Sequence, residues 1–168
     1  KAMIAMHNND INRTVGIEAD EDVPLIRLTR EFAATPAQLI RAHTDPELFV
    51  QWVGPDRMDS RIIEWDARDG GCWHYVSTRD GVDYEFRGCF HEITDNRIVQ
   101  TFAFVGMPEH VALETVRFED LGGGTARLVA QSLVDSFEAR DSWLATGMET
   151  GVEQGYRKLD LLLESGGR

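Results

Sequence analysis

The chain has 168 residues, 42% apolar and 27% charged, with 29 acidic against 17 basic side chains and a net charge of −12. Length and mix indicate one globular domain with its own core, and the acidic balance repels phosphate backbones and anionic lipid, so nucleic acid and membrane are not expected partners. No apolar run approaches the ~20 residues of a bilayer span, and two cysteines are too few for a disulfide-stapled secreted scaffold.

Residues 1–22 are polar and irregular and end in the acidic cluster Glu18, Asp20, Glu21, Asp22. They read as a tail. They show no basic segment, apolar core and cleavage site, so the expected compartment is the cytoplasm. A single domain is expected over 23–165. Leu25–Phe32 alternates as a first strand. Thr35-Pro36 and Asp45-Pro46 each place a capping side chain before a proline at the first helical position. Two short helices follow, 36–43 and 46–52, and then a Gly-Pro loop at Trp52–Pro55. Strands are expected at 60–66, 71–79, 82–93, 97–104, 111–119 and 125–134. Over 141–163, Leu144, Met148, Val152, Gly155, Leu159 and Leu162 recur at helical spacing, which predicts one long amphipathic helix. This order is an α+β arrangement.

Asp80-Gly81 is a hairpin turn signal. In that register Trp73 lies opposite Gly88, Tyr75 opposite Phe86 and Cys72 opposite Cys89. Alternation gathers Trp73, Tyr75, Tyr84, Phe86 and Phe90 on one face and His74, Glu85, Arg87 and His91 on the other. Phe102 and Phe104 join the aromatic face if the turn at Thr94–Arg97 carries an extra residue or a bulge. That arrangement is preferred, because exposing two phenylalanines is costly. The aromatic face is the partner for the long helix, and Gly151 and Gly155 permit close approach. Cys72 and Cys89 fall at a non-hydrogen-bonded position, with alpha carbons expected about 4.5–5.5 Å apart.

Motif chemistry is sparse. His7, His43, His74, His91 and His110 show no zinc-type spacing, so no metal is expected. Nucleophile-elbow, phosphate-loop and dinucleotide signatures do not occur, so no cofactor is expected. Gly122-Gly123-Gly124 precedes a strand and reads as a hairpin turn. By strict alternation Glu92 is the only sheet carboxylate on the aromatic side. A bulge beside it would return it to solvent, and no catalytic residue is assigned.

Several segments in order resemble one family: "HTDPELFVQWVGP" (His43–Pro55), "DARDGGCWHY" (Asp66–Tyr75), "RGCFHEITDNRIVQTF" (Arg87–Phe102), "VRFEDLGGGTARL" (Val116–Leu128) and "GYRKLDLLL" (Gly155–Leu163). The chain resembles bacterial homologues of the C-terminal domain of the activator of Hsp90 ATPase, in the START and Bet v 1-like helix-grip superfamily. The resemblance implies a curved antiparallel sheet of about seven strands wrapped around a long C-terminal helix. The family's closing helix often carries Trp where this chain has Tyr156. Relatives bind lipids, sterols, plant hormones and polyketides, and some catalyse cyclisation. The expected function is therefore binding of a small, largely apolar molecule between sheet and helix. The candidate contacts are Trp73, Tyr75, Tyr84, Phe86, Phe90, Phe102 and Phe104 from the sheet, and Trp143, Met148 and Tyr156 from the helix. Two alternatives stand beside it: a cyclase- or hydrolase-type enzyme in the same cavity, and a co-chaperone-like protein-interaction module. An edge strand or the start of the long helix leaves room for a homodimer.

Overall fold

Capping side chains and prolines start the helices, and alternating apolar positions build the strands between them. The computed structural model describes residues 11–166. His7 and the first ten residues of the expected tail lie outside the described residues. In chain order the elements are β1 (Gly16–Ala19), β2 (Leu25–Phe32), α1 (Pro36–Thr44), α2 (Pro46–Trp52), β3 (Asp59–Trp65), β4 (Cys72–Arg79), β5 (Val82–Ile93), β6 (Arg97–Phe104), β7 (Val111–Gly122), β8 (Thr125–Leu133), α3 (Phe137–Ala145) and α4 (Met148–Glu164). Thr35 and Gln38 form a reciprocal capping box on α1, and the Asp45 carboxylate accepts the Glu47 N–H to open α2. Among the described residues no helix is long and apolar enough to cross a membrane.

The strands form one antiparallel sheet in the order β1-β2-β8-β7-β6-β5-β4-β3. That is eight strands rather than about seven. The added strand is β1, which comes from the segment read as tail and pairs Gly16 with Thr29 through Ala19 with Ile26. Asp20 then turns the chain by accepting the N–H groups of Asp22 and Val23 and pairs with Arg27 at 2.6 Å. Acidic clustering hid a four-residue strand whose side chains are mostly outward.

The β4–β5 register is the one set by the Asp80-Gly81 turn, with Cys72 opposite Cys89 and Trp73 opposite Gly88. The two thiols are free, with sulfurs 2.9 Å apart. Between β5 and β6, Phe90 pairs with Gln100 but Glu92 pairs with Val99, so His91 is an extra, bulged residue. The bulge puts Phe102 and Phe104 on the face of Phe86 and Phe90. It also turns Glu92 away from that face to an ion pair with Arg97.

The single helix expected over 141–163 is two helices. Gly147 separates them in the left-handed region, at φ +77, where the missing Cβ removes the steric cost. Ser136 caps α3 by accepting the Ala139 N–H at 3.0 Å, so this helix begins earlier than the apolar spacing indicated. Helix α4 crosses the inner face of the sheet. At Gly155 a Cβ would lie 3.1 Å from the Trp52 carbonyl, so this glycine sets how closely α4 approaches the end of α2. Arg30 of β2 clasps Asp160 of α4 with two hydrogen bonds, at 2.7 and 2.6 Å, and both residues are buried. The core around them is Phe32, Leu39, Phe90, Phe118, Leu128 and Leu159.

Candidate functional site

Inward positions of the central strands are apolar except at one level. On β6 the run Ile98, Phe102 is interrupted by Gln100. On β7 the run Ala112, Val116, Phe118 is interrupted by Glu114. On β8 the run Ala126, Leu128, Ala130 is followed by Ser132. The three are in register, Gln100 opposite Glu114 and Glu114 opposite Ser132, so they form one polar row across the sheet. Gln100 Nε2 donates to Glu114 Oε1 at 3.1 Å, and Ser132 Oγ donates to Oε2 at 2.8 Å. Burial raises the Glu114 pKa above its ordinary value, and these two hydrogen bonds pull it back in part.

Facing the row is a chain of aromatic rings. Centroids run from Tyr156 to Trp52 (6.1 Å), Trp52 to Phe49 (5.4 Å), Phe49 to Tyr75 (5.2 Å), Tyr75 to Trp73 (5.6 Å) and Trp73 to Phe102 (5.6 Å). Helix-end chemistry positions two of the indoles around it. The last carbonyls of α1 have no partner inside the helix. Ala42 accepts the Trp52 N–H at 3.0 Å, and Thr44 accepts the Trp65 N–H at 2.7 Å. Trp73 finds room because it lies over Gly88, where a Cβ would be 2.6 Å from the indole.

Rings and polar row enclose a cavity of about 200 Å³ between the sheet, α2 and α4. A second void of about 120 Å³ shares Phe102, Glu114, Ser132 and Met148 with it and continues toward Trp143 of α3. Neither Tyr75 nor Tyr156 has a hydrogen-bond partner for its hydroxyl among the described residues, and the Trp73 N–H is buried and unpartnered. Burial raises the pKa of both tyrosines, and the Glu114 carboxylate raises each further. His43 is held between Trp52 and Phe118, at 4.7 and 5.1 Å between ring centroids. Its Nδ1 donates to the Leu39 carbonyl at 2.7 Å, which leaves Nε2 as the acceptor. Burial pushes the His43 pKa down to about 4, and the ring is neutral at pH 7.

Of the ten contacts expected from the sequence, Trp73, Tyr75, Phe102, Met148 and Tyr156 line the larger cavity, and Trp143 lines the smaller one. Tyr84, Phe86, Phe90 and Phe104 lie outside the lining of both. Phe90 is buried behind Trp65, and Phe86 stacks behind Tyr75. Phe104 packs on Phe86 and Tyr84, and Tyr84 is 36% exposed near the hairpin tip. Sharing a sheet face was not sufficient, because the helices cover only part of it. Glu114, Gln100, Ser132, His43, Phe49 and Trp65 were missed. Glu92 is not the inward carboxylate; Glu114 is. The signal was present as polar residues at inward parity on β6, β7 and β8. Among the described residues no three His, Cys, Asp or Glu side chains converge as a metal site would require.

The model of the activator of Hsp90 ATPase homolog 1-like protein family matches residues 33–164. A crystal structure of a protein from Rhodobacter sphaeroides is similar, with a TM-score of 0.80 and 26% identity over 90% of this chain and 99% of that one. A solution structure from Arthrobacter aurescens has a TM-score of 0.81 at 21% identity, covering 89% of this chain and 91% of that one. The AHSA1 protein from Silicibacter pomeroyi has a TM-score of 0.66 at 22% identity, covering 84% and 99%. No curated relative matches the sequence.

Proposed function

The chain belongs to the activator of Hsp90 ATPase homolog 1-like family, and from that premise we propose that it binds a small, largely apolar molecule in the cavity between the sheet and α4. The observation that carries this reading is the cavity itself. Close-packed interiors hold few voids larger than a water molecule, whereas this one is about 200 Å³ and is lined by two tyrosines whose hydroxyls have no partner among the described residues. A dry cavity of roughly 150 Å³ takes up benzene, so this volume suits a body of one or two rings. Binding would be driven by apolar burial against Trp73, Tyr75, Phe102, Met148 and Tyr156, with Trp143 beyond them.

The test is native mass spectrometry of gently purified protein against the denatured mass. A retained small molecule is the expected result. A bare native mass, together with no thermal stabilisation by any member of a one- and two-ring aromatic panel, would overturn the reading. One observation favours a second reading, acid–base chemistry on the bound molecule. Glu114, whose protonated form burial favours, and His43, with an open Nε2, line the same cavity. A change in the mass of the retained molecule on standing would select that reading.

A further inference from the structure

The cavity lining has a carboxyl group and no cationic side chain to pair with it. Glu114 is the only carboxylate among the lining residues described, and neither Lys nor Arg lines either void. His43 has its proton on Nδ1 and directs it to Leu39. The guanidinium of Arg30, close enough to influence Tyr156, is occupied by Asp160. Gln100 and Ser132 each fill one acceptor position on Glu114. An ionised carboxylate has about four such positions, so this one is only half satisfied by the protein.

We propose that the ligand of this cavity is a lipophilic amine, whose protonated nitrogen pairs with Glu114 while the aromatic rings enclose its apolar body. The proposal rests on the reading that the cavity binds a small molecule, and it names the chemical class. Three physical effects agree. A buried carboxylate is costly unless paired, and an ammonium supplies both the charge and the N–H donors that the free acceptor positions lack. The faces of Trp and Tyr rings carry negative quadrupole density and attract a cation within about 6 Å. Tyr75 and Tyr156 line the cavity with hydroxyls that have no partner among the described residues and can accept from the same nitrogen. A ligand carboxylate or phosphate would meet Glu114 and the ring faces with no cation to offset either.

The test uses three bicyclic probes of nearly equal size, titrated calorimetrically into the full chain at pH 7.5: 1-naphthylmethylamine, 1-naphthalenemethanol and 1-naphthoate. The amine is expected to bind at least tenfold tighter than the alcohol, and the carboxylate not measurably. In Glu114→Gln the amine should lose about tenfold and the alcohol distinctly less, so that the preference for the amine collapses. The comparison within the unaltered protein decides the matter even if that variant misfolds. Equal binding of amine and alcohol, or tighter binding of the carboxylate, would overturn the amine assignment and leave the small-molecule reading standing. Failure of all three probes to bind would overturn the amine assignment, and the small-molecule reading would then fall only with a bare native mass and no stabilisation by the aromatic panel.

Discussion

Arg30 and Asp160 meet end-on, Nη1 to Oδ1 and Nη2 to Oδ2, at 2.7 and 2.6 Å, and so tie the second strand to the last helix across the core. Two further Arg30 donors are used: Nε donates to the Arg13 carbonyl at 3.1 Å and Nη1 to the Glu31 carbonyl at 3.2 Å. Its Cζ lies 4.4 Å from the centre of the Phe32 ring. Removing one partner of such a pair strands a buried charge, at a cost of about 3–5 kcal/mol. Asp160→Ala should therefore lose that much in urea unfolding, and Arg30→Met with Asp160→Leu should recover most of it. A loss below about 1 kcal/mol in the single variant would show the pair to be unimportant.

His43 makes stability depend on pH. Its folded-state pKa lies near 4 because burial disfavours the imidazolium, against about 6.5 when unfolded. Below pH 6.5 the unfolded chain takes up a proton that the folded chain refuses, so stability falls as pH falls from 6.5 to 4. The loss is on the order of 3 kcal/mol by pH 4. His43→Gln should remove this increment, seen as the difference between the two proteins' urea midpoints across that range. Parallel pH profiles for the two would contradict the assignment.

Gly88 is required by its neighbours. A Cβ there would lie 2.0 Å from the Thr101 carbonyl oxygen and 2.6 Å from the Trp73 indole. One contact is backbone, so a side-chain rotation cannot relieve it. Gly88→Ala should destabilise by about 2–3 kcal/mol and shift the fluorescence of Trp73. An unchanged melting temperature would mean that the two strands part more easily than this geometry implies.

Cys72 is expected to be a slow thiol because of Cys89. The hydrogen bond to Cys89, with burial second, pushes the Cys72 pKa up to about 11. At pH 8 its thiolate fraction, and hence its alkylation by iodoacetamide, should be roughly a hundredfold below that of an ordinary thiol. Cys89→Ala should restore most of that rate in a peptide-resolved mass measurement. Equal rates before and after the substitution would remove Cys89 as the cause.

Most of the architecture was legible because it rests on local chemistry. Thr35-Pro36 and Asp45-Pro46 start their helices where capping logic places them. Asp80-Gly81 fixes a register that carries Cys72 to Cys89. The misses have two origins, a single residue that reset the local geometry and a pairing with a distant strand. Gly147 breaks a helix whose apolar spacing runs on past it, and β1 is drawn into the sheet by pairing with β2 rather than by its own composition. The site was half legible. Parity correctly put Trp73 and Tyr75 on the inner face. The distinction between cavity wall and filled core at Phe86 or Phe90 depends on where α2 and α4 lie, which parity does not encode. Glu114 was visible as a glutamate at inward parity, but strand β7 is too mixed on both faces for its parity to stand out.

The two edges of the sheet among the described residues are β1 and β3. The first is four residues long. The second is kinked by a register shift at Ile63, the residue between Ile62 and Glu64, and carries Asp59, Arg61 and Glu64. A short edge and a bulged, charged one are poor templates for another strand. Such edges work against one chain extending another's sheet into a fibre, a protection that matters for a domain with so broad an aromatic interior.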